Sequence, residues 1–152
     1  MAQGHDWLRV EEIELDLRLG SKRAVIDELA RLLAARQGGA RQQVFEELWR
    51  REALGSTALG RGVALPHART AGLDSPLAAF VRLRQPVAFE APDDKPVEFA
   101  LGLLLPQRDP QRQLDFLAGI ATRFSEPDFR SRLLDATTPV EVRRLLIAGV
   151  RP

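Results

Sequence analysis

One stretch of nineteen residues, positions 51–69, concentrates the side chains that can do chemistry: Arg51, Glu52, Ser56, Thr57, His67 and Arg69, interleaved with Gly55, Gly60, Gly62 and Pro66. An imidazole nitrogen is a competent nucleophile near neutral pH because much of it is unprotonated, and histidine forms covalent intermediates in group transfer. Pro66 fixes its own φ and pushes Leu65 into an extended conformation, so the chain is expected to reach His67 as the end of a strand rather than inside a helix. Gly55, Gly60 and Gly62 permit backbone conformations and close approaches that suit a loop whose N–H groups surround an anion. The chemistry that this pattern suggests is acceptance of a phosphoryl group on His67.

Phosphoryl transfer depends on alignment and on spreading charge over the equatorial oxygens, so cationic forks and backbone donors matter more than acid–base groups. Arg51 is the first candidate for the fork, since a guanidinium binds two oxygens at once; the plainer reading is a helix-end cation favoured by the dipole. Glu52 anchors the loop or pairs with an arginine. Ser56 and Thr57 either donate hydroxyls to the phosphoryl group or bond the local backbone. Arg69 contacts phosphate, docks a partner or faces solvent. Other signatures fail: Gly55, Gly60, Arg61 and Gly62 approximate a P-loop, but Arg61 replaces its lysine and Gly62 its hydroxyl residue. No G-x-S-x-G occurs, and His5 with His67 makes no metal-ligand spacing, so neither metal nor cofactor is assigned.

The run Arg51-Glu52-x-x-Gly55-Ser56-Thr57-x-x-Gly60-x-Gly62-Val63-Ala64-Leu65-Pro66-His67 resembles the active-site signature of phosphotransferase-system IIA proteins of the fructose/mannitol type, the type-2 EIIA domain, and most of all its stand-alone nitrogen-regulatory branch. The resemblance extends over nearly the whole chain. It implies a IIA fold and transfer of a phosphoryl group to Nε2 of His67 from a histidine phosphocarrier protein of the HPr kind. It also implies regulation of target proteins, such as kinases or transporters, according to the phosphorylation state of the chain. A sugar-specific IIA subunit that hands the group to a IIB domain, and a binding module without turnover, are the alternatives. Transfer to Nε2 requires a hydrogen bond to orient the other ring nitrogen, and the sequence does not name its acceptor. The family usually carries a second histidine on the helix after the last strand. Alignment through Leu104-Leu105-Pro106 puts Gln113 there, which implies that Gln113 lies within reach of His67. Glutamine can hydrogen-bond an imidazole or a phosphoryl oxygen but carries no charge.

The elements that must position this loop follow from patterning. At 152 residues the chain fits one domain with a real core, and without cysteine it has no disulfide or thiolate site. A net charge of +1 does not suggest a nucleic acid as partner. The acidic N-terminus without a long apolar run suggests neither signal peptide nor membrane span, hence a cytoplasmic protein, with residues 1–8 expected as a flexible tail. Only Lys22 and Lys95 among the 22 basic residues are lysine.

Ile13, Leu15, Leu17 and Leu19 alternate with polar residues and predict a strand. Ser21 caps a predicted helix over 22–36, and a second over 41–54 places Val44, Phe45, Leu48 and Trp49 inward and Arg51 in its last turn. Strands are expected at 77–83, 87–89 and 97–105, with a turn at 91–94. Asp109 and Pro110 read as the cap and first residue of a helix that carries Leu114, Leu117, Ile120, Ala121 and Phe124 on one side. A shorter helix follows Pro127, and Thr138-Pro139-Val140-Glu141 opens the last one as a capping box. The expected architecture is a single α/β domain, a mixed β-sheet flanked by helices.

Overall fold

The computed structural model describes residues 6–152, so His5 and the four residues before it lie outside the description. Strand β1 (Ile13–Leu17) follows a single 3-10 turn, and two helices come next, α1 (Lys22–Gln37) and α2 (Arg41–Ala53). Then come β2 (Ala58–Gly60), β3 (Val63–Ala64), β4 (His67–Thr70), β5 (Leu77–Val87) and β6 (Val97–Pro106). Helices α3 (Pro110–Phe124), α4 (Pro127–Asp135) and α5 (Pro139–Ile147) complete the chain.

The sheet is mixed, in the order β1-β5-β6-β3-β2, with β4 also on β6. β1 runs parallel to β5, β5 antiparallel to β6, and both β3 and β4 parallel to β6. Alternation along the central strands explains the two layers of helices, since successive side chains point to opposite faces. Ala79 and Val81 of β5 with Ala100 and Leu104 of β6 pack on the face of α1 and α2. Phe80, Phe99, Leu101, Leu103 and Leu105 pack on the opposite face with α3, α4, α5, Trp7 and Leu8. Gly102 marks a close approach of α1, because a Cβ there would come within 3.1 Å of Leu29.

Several local expectations hold. The Ser21 hydroxyl accepts from the Ala24 N–H, and Thr138 does the same for Glu141. Asp94 N–H closes the turn on Ala91. Others are corrected. The tail does not reach residue 8, for Trp7 and Leu8 are buried under α3 and α5. Residues 87–89 form no separate strand: β5 runs on to Val87, and Pro86 is tolerated within a register shift between Arg82 and Val87, where the ladder is already irregular. Asp109 caps nothing with its side chain, because its φ of 53° turns it into the left-handed region. Helix α3 buries Gln113, Phe116, Ile120 and Phe124, and leaves Leu114 about half exposed. The face carrying Leu114, Leu117 and Ala121 is turned to a cleft instead.

Candidate functional site

β3 and β4 are two pieces of one line along β6. Val63 faces Phe99 and His67 faces Leu103, the same offset on both sides of the Leu65–Pro66 interruption. Pro66 has no N–H to give the ladder, but its carbonyl accepts from Leu103, and Leu65 N–H turns aside to Thr57. His67 therefore begins a strand piece rather than ending one, which corrects the expectation drawn from Pro66. Strand parity puts His67 on the α3 face together with Leu65, and Arg69 on that same side.

The interruption also leaves the Leu65 carbonyl free for the ring. His67 Nδ1 lies 2.9 Å from Leu65 O. A carbonyl can only accept, so Nδ1 carries the proton and Nε2 keeps the lone pair. Burial lowers the His67 pKa below 6.5; the Leu65 bond opposes this, the Arg51 charge reinforces it, Glu52 opposes it and Arg69 reinforces it. At neutral pH the ring is thus an uncharged imidazole with Nε2 available as the nucleophile.

His67 lines a cleft of about 350 Å³ with Arg51, Ser56, Thr57, Leu59, Leu65 and the α3 side chains Leu114, Leu117 and Ala121. Arg51 is in the last turn of α2, as expected, and its Nη1 donates to Gly55 O at 2.8 Å, holding the loop that follows the helix. Glu52 is buried and anchors that loop from inside. Its carboxylate accepts the Thr57 N–H and hydroxyl, the latter at 2.5 Å, and meets Lys22 Nζ at 2.8 Å. Lys22 also stands 5.6 Å from the centre of the Phe89 ring. The Ser56 hydroxyl donates to Phe89 O and accepts from Ala58 N–H. Ser56 and Thr57 border the cleft, but both hydroxyls are engaged within the loop.

Four residues grouped with the site by sequence, Gly60, Gly62, Arg69 and Gln113, are not among those that line this cleft. Gly60 and Gly62 flank Arg61 in the β2–β3 turn, at φ of 88° and 83°, against the side chains of Asp93 and Glu98. Their role there is the turn itself, which only residues at ease with positive φ can make. Gln113 is buried and lines a different cleft, its amide 3.4 Å from Arg108 O. From α3 it is Leu114, one position on, that joins His67 in lining the first cleft. Asp115 is exposed and accepts from Gln111. Among the described residues no group of three or more His, Asp or Glu side chains is placed to hold a metal ion.

Sequence reasoning missed Lys22, Phe89 and the Leu65 carbonyl. Lys22 had a signal, as one of two lysines in a chain that otherwise uses arginine.

Known proteins resemble this chain in sequence and in fold. A nitrogen regulatory protein of Pseudomonas aeruginosa is 37% identical over 129 residues, 84% of each chain. The 2-O-alpha-mannosyl-D-glycerate-specific EIIABC component of Escherichia coli is 34% identical over 131 residues, covering 84% of this chain and 20% of that one. The crystal structure of nitrogen regulatory protein IIA-Ntr from Neisseria meningitidis superposes with a TM-score of 0.89 at 40% identity, over 93% of this chain and 97% of the other. Residues 6–148 match the profile of one family across both helical layers and the His67 loop, and the chain belongs to that family, the EIIA 2 domains of the phosphoenolpyruvate-dependent sugar phosphotransferase system.

Proposed function

We propose that the chain is a cytoplasmic phosphorelay protein that takes a phosphoryl group onto Nε2 of His67 from a histidine phosphocarrier protein and regulates partner proteins by its phosphorylation state. The carrying observation is the Nδ1 contact to Leu65 O, which leaves Nε2 as the lone-pair nitrogen in a cleft bordered by Arg51. In the transfer the Nε2 lone pair attacks phosphorus, the N–P bond of the donor breaks, and the donor imidazole leaves with its electron pair. The Leu65 carbonyl supports the Nδ1 proton as the ring gains positive charge, and Arg51 offsets charge on the phosphoryl oxygens. The exposed apolar wall of Leu59 and Leu114 provides dry contact for the carrier. Similarity to nitrogen regulatory proteins along most of both chains supports the regulatory role.

A second reading, a sugar-specific IIA unit that passes the group to a IIB domain, draws on the 34% identity to the EIIABC component. Mixing the chain with phosphorylated carrier and reading intact mass at neutral pH tests the proposal. One added phosphoryl group is expected, absent in His67→Ala. Labelling that persisted in that variant would overturn the assignment. Onward transfer to a purified IIB domain would favour the second reading.

A further inference from the structure

A second cleft, of about 560 Å³, shares no wall residue with the first. It lies between residues 6–7, the 74–76 turn, the start of α3 and residues 151–152, with Arg36 of α1 at its side. Three independent features meet there.

The first is an uncapped helix start. The Asp109 side chain makes no capping bond, and Pro110 has no N–H to satisfy, so the N–H groups of Gln111 and Arg112 at the positive end of a fifteen-residue helix lack an intrahelical partner. Such an end is suited to an anion.

The second is Trp7. It forms part of the cleft wall, is 2% exposed, and its Nε1–H is buried with no acceptor. A buried donor left without a partner is rare and costs stability, so it calls for an acceptor.

The third is charge. Arg36, Arg108, Arg112 and Arg151 line the cleft against Asp6, Asp74 and Asp109. Arg36 leans on Glu12 at 3.5 Å and on Asp6 O at 2.5 Å, and Arg112 reaches Pro152 O at 3.2 Å. The Arg108–Asp74 pair, 3.0 Å apart, is well exposed on both sides, and such pairs exchange readily with solvent or ligand.

We propose that this cleft binds a small oxyanion, a carboxylate or a phosphate ester, with the Arg112 and Arg151 guanidinium groups and the first-turn N–H groups of α3 as charged and dipolar donors and the Trp7 indole N–H as the neutral one. The site is independent of phosphoryl transfer at His67.

Trp7 and Trp49 are the two tryptophans of the chain, so Trp49→Phe leaves Trp7 as the lone fluorescent reporter in the wall of the cleft. In that background, citrate and inorganic pyrophosphate are titrated separately at fixed ionic strength, one arm for each source of the oxyanion. A saturable change in Trp7 emission is expected for at least one probe, and the arm that saturates at lower concentration names the chemistry. Arg112→Gln and Arg151→Gln, both at exposed positions, are expected to raise the midpoint on the order of tenfold, the loss of a charge-assisted contact. Arg51→Gln, at the other cleft, is expected to leave it unchanged. A linear drift with both probes, or a midpoint indifferent to Arg112→Gln and Arg151→Gln while circular dichroism shows the fold intact, overturns the proposal. A midpoint displaced by Arg51→Gln alone does so too, because it would place the anion beside His67.

Discussion

Lys22 and Glu52 meet 2.8 Å apart with side chains 15% and 2% exposed, joining the start of α1 to the end of α2 beneath the loop that leads to His67. Removing one member leaves the other charge buried without its partner, the costly half of such a pair. Lys22→Met is therefore expected to lower stability by about 3 kcal/mol in urea unfolding, while the double variant Lys22→Met/Glu52→Gln recovers part of it. A loss below about 0.5 kcal/mol, the range of an ordinary surface change, would show that the ammonium is dispensable.

Arg51 holds Gly55 O with one N–H and is among the residues that line the cleft. Arg51→Lys keeps the charge and loses the planar geometry. Phosphoryl uptake from the carrier is expected to slow on the order of tenfold with the urea midpoint unchanged. Rates equal to the parent at matched carrier concentration would return Arg51 to a loop-holding role.

Burial lowers the His67 pKa below 6.5, and this carries a sign for folding. Between the folded value and 6.5 the unfolded chain binds more protons than the folded one, so stability rises with pH across that window. The His67 contribution is complete above 6.5 and fades as pH falls through the folded value. Subtracting the pH profile of His67→Gln from that of the parent, in urea unfolding between about pH 5 and pH 8, isolates the effect. Proton NMR should place the ring titration below that of a free imidazole. A midpoint at or above 6.5 contradicts the assignment of a neutral, partly buried acceptor.

Gly62 distinguishes a turn from a phosphate cradle. At φ of 83°, a Cβ there would stand 3.2 Å from Glu98 Oε2. Gly62→Ala is expected to destabilise by roughly 1–2 kcal/mol, the cost of a strained left-handed residue, and to leave phosphoryl uptake unchanged in whatever fraction stays folded. Slower uptake at unaltered stability would move Gly62 into the site.

Where a residue type carries its own instruction, the sequence was legible. Ser21 and Thr138 cap helices because a hydroxyl at that position accepts the orphan N–H of the first turn, and neither depends on distant packing. The expectation for Arg51 in the last turn of α2 had the same local basis. Pro86 misled because its effect depends on the ladder it enters: inside a regular strand it breaks pairing, but the register shift in β5 leaves room for it. The stripe on α3 misled because Leu114 and Leu117 look like core residues in a helical repeat, yet they wall a cleft while Gln113 is buried in their stead. Gln113 was placed by likeness to the family, and the start of α3 turns that position toward Trp7 and Arg108. The acceptor for His67 Nδ1 is a main-chain atom, which no residue type could announce.

The group that selects which imidazole nitrogen stays basic is the oxygen of the Leu65 peptide, and every amino acid supplies one. Replacing Leu65 alters the packing around the selector but not the selector. Codon changes can reach it only indirectly, by shifting the spacing of the interrupted strand; one inserted residue between positions 64 and 67 would rotate the histidine to the face of α1 and α2. A saturation mutagenesis map of this region should therefore show tolerance at position 65 for side chains of similar size beside near-complete intolerance of single-residue insertions and deletions, the pattern of a chemical choice written in the length of the backbone and not in its side chains.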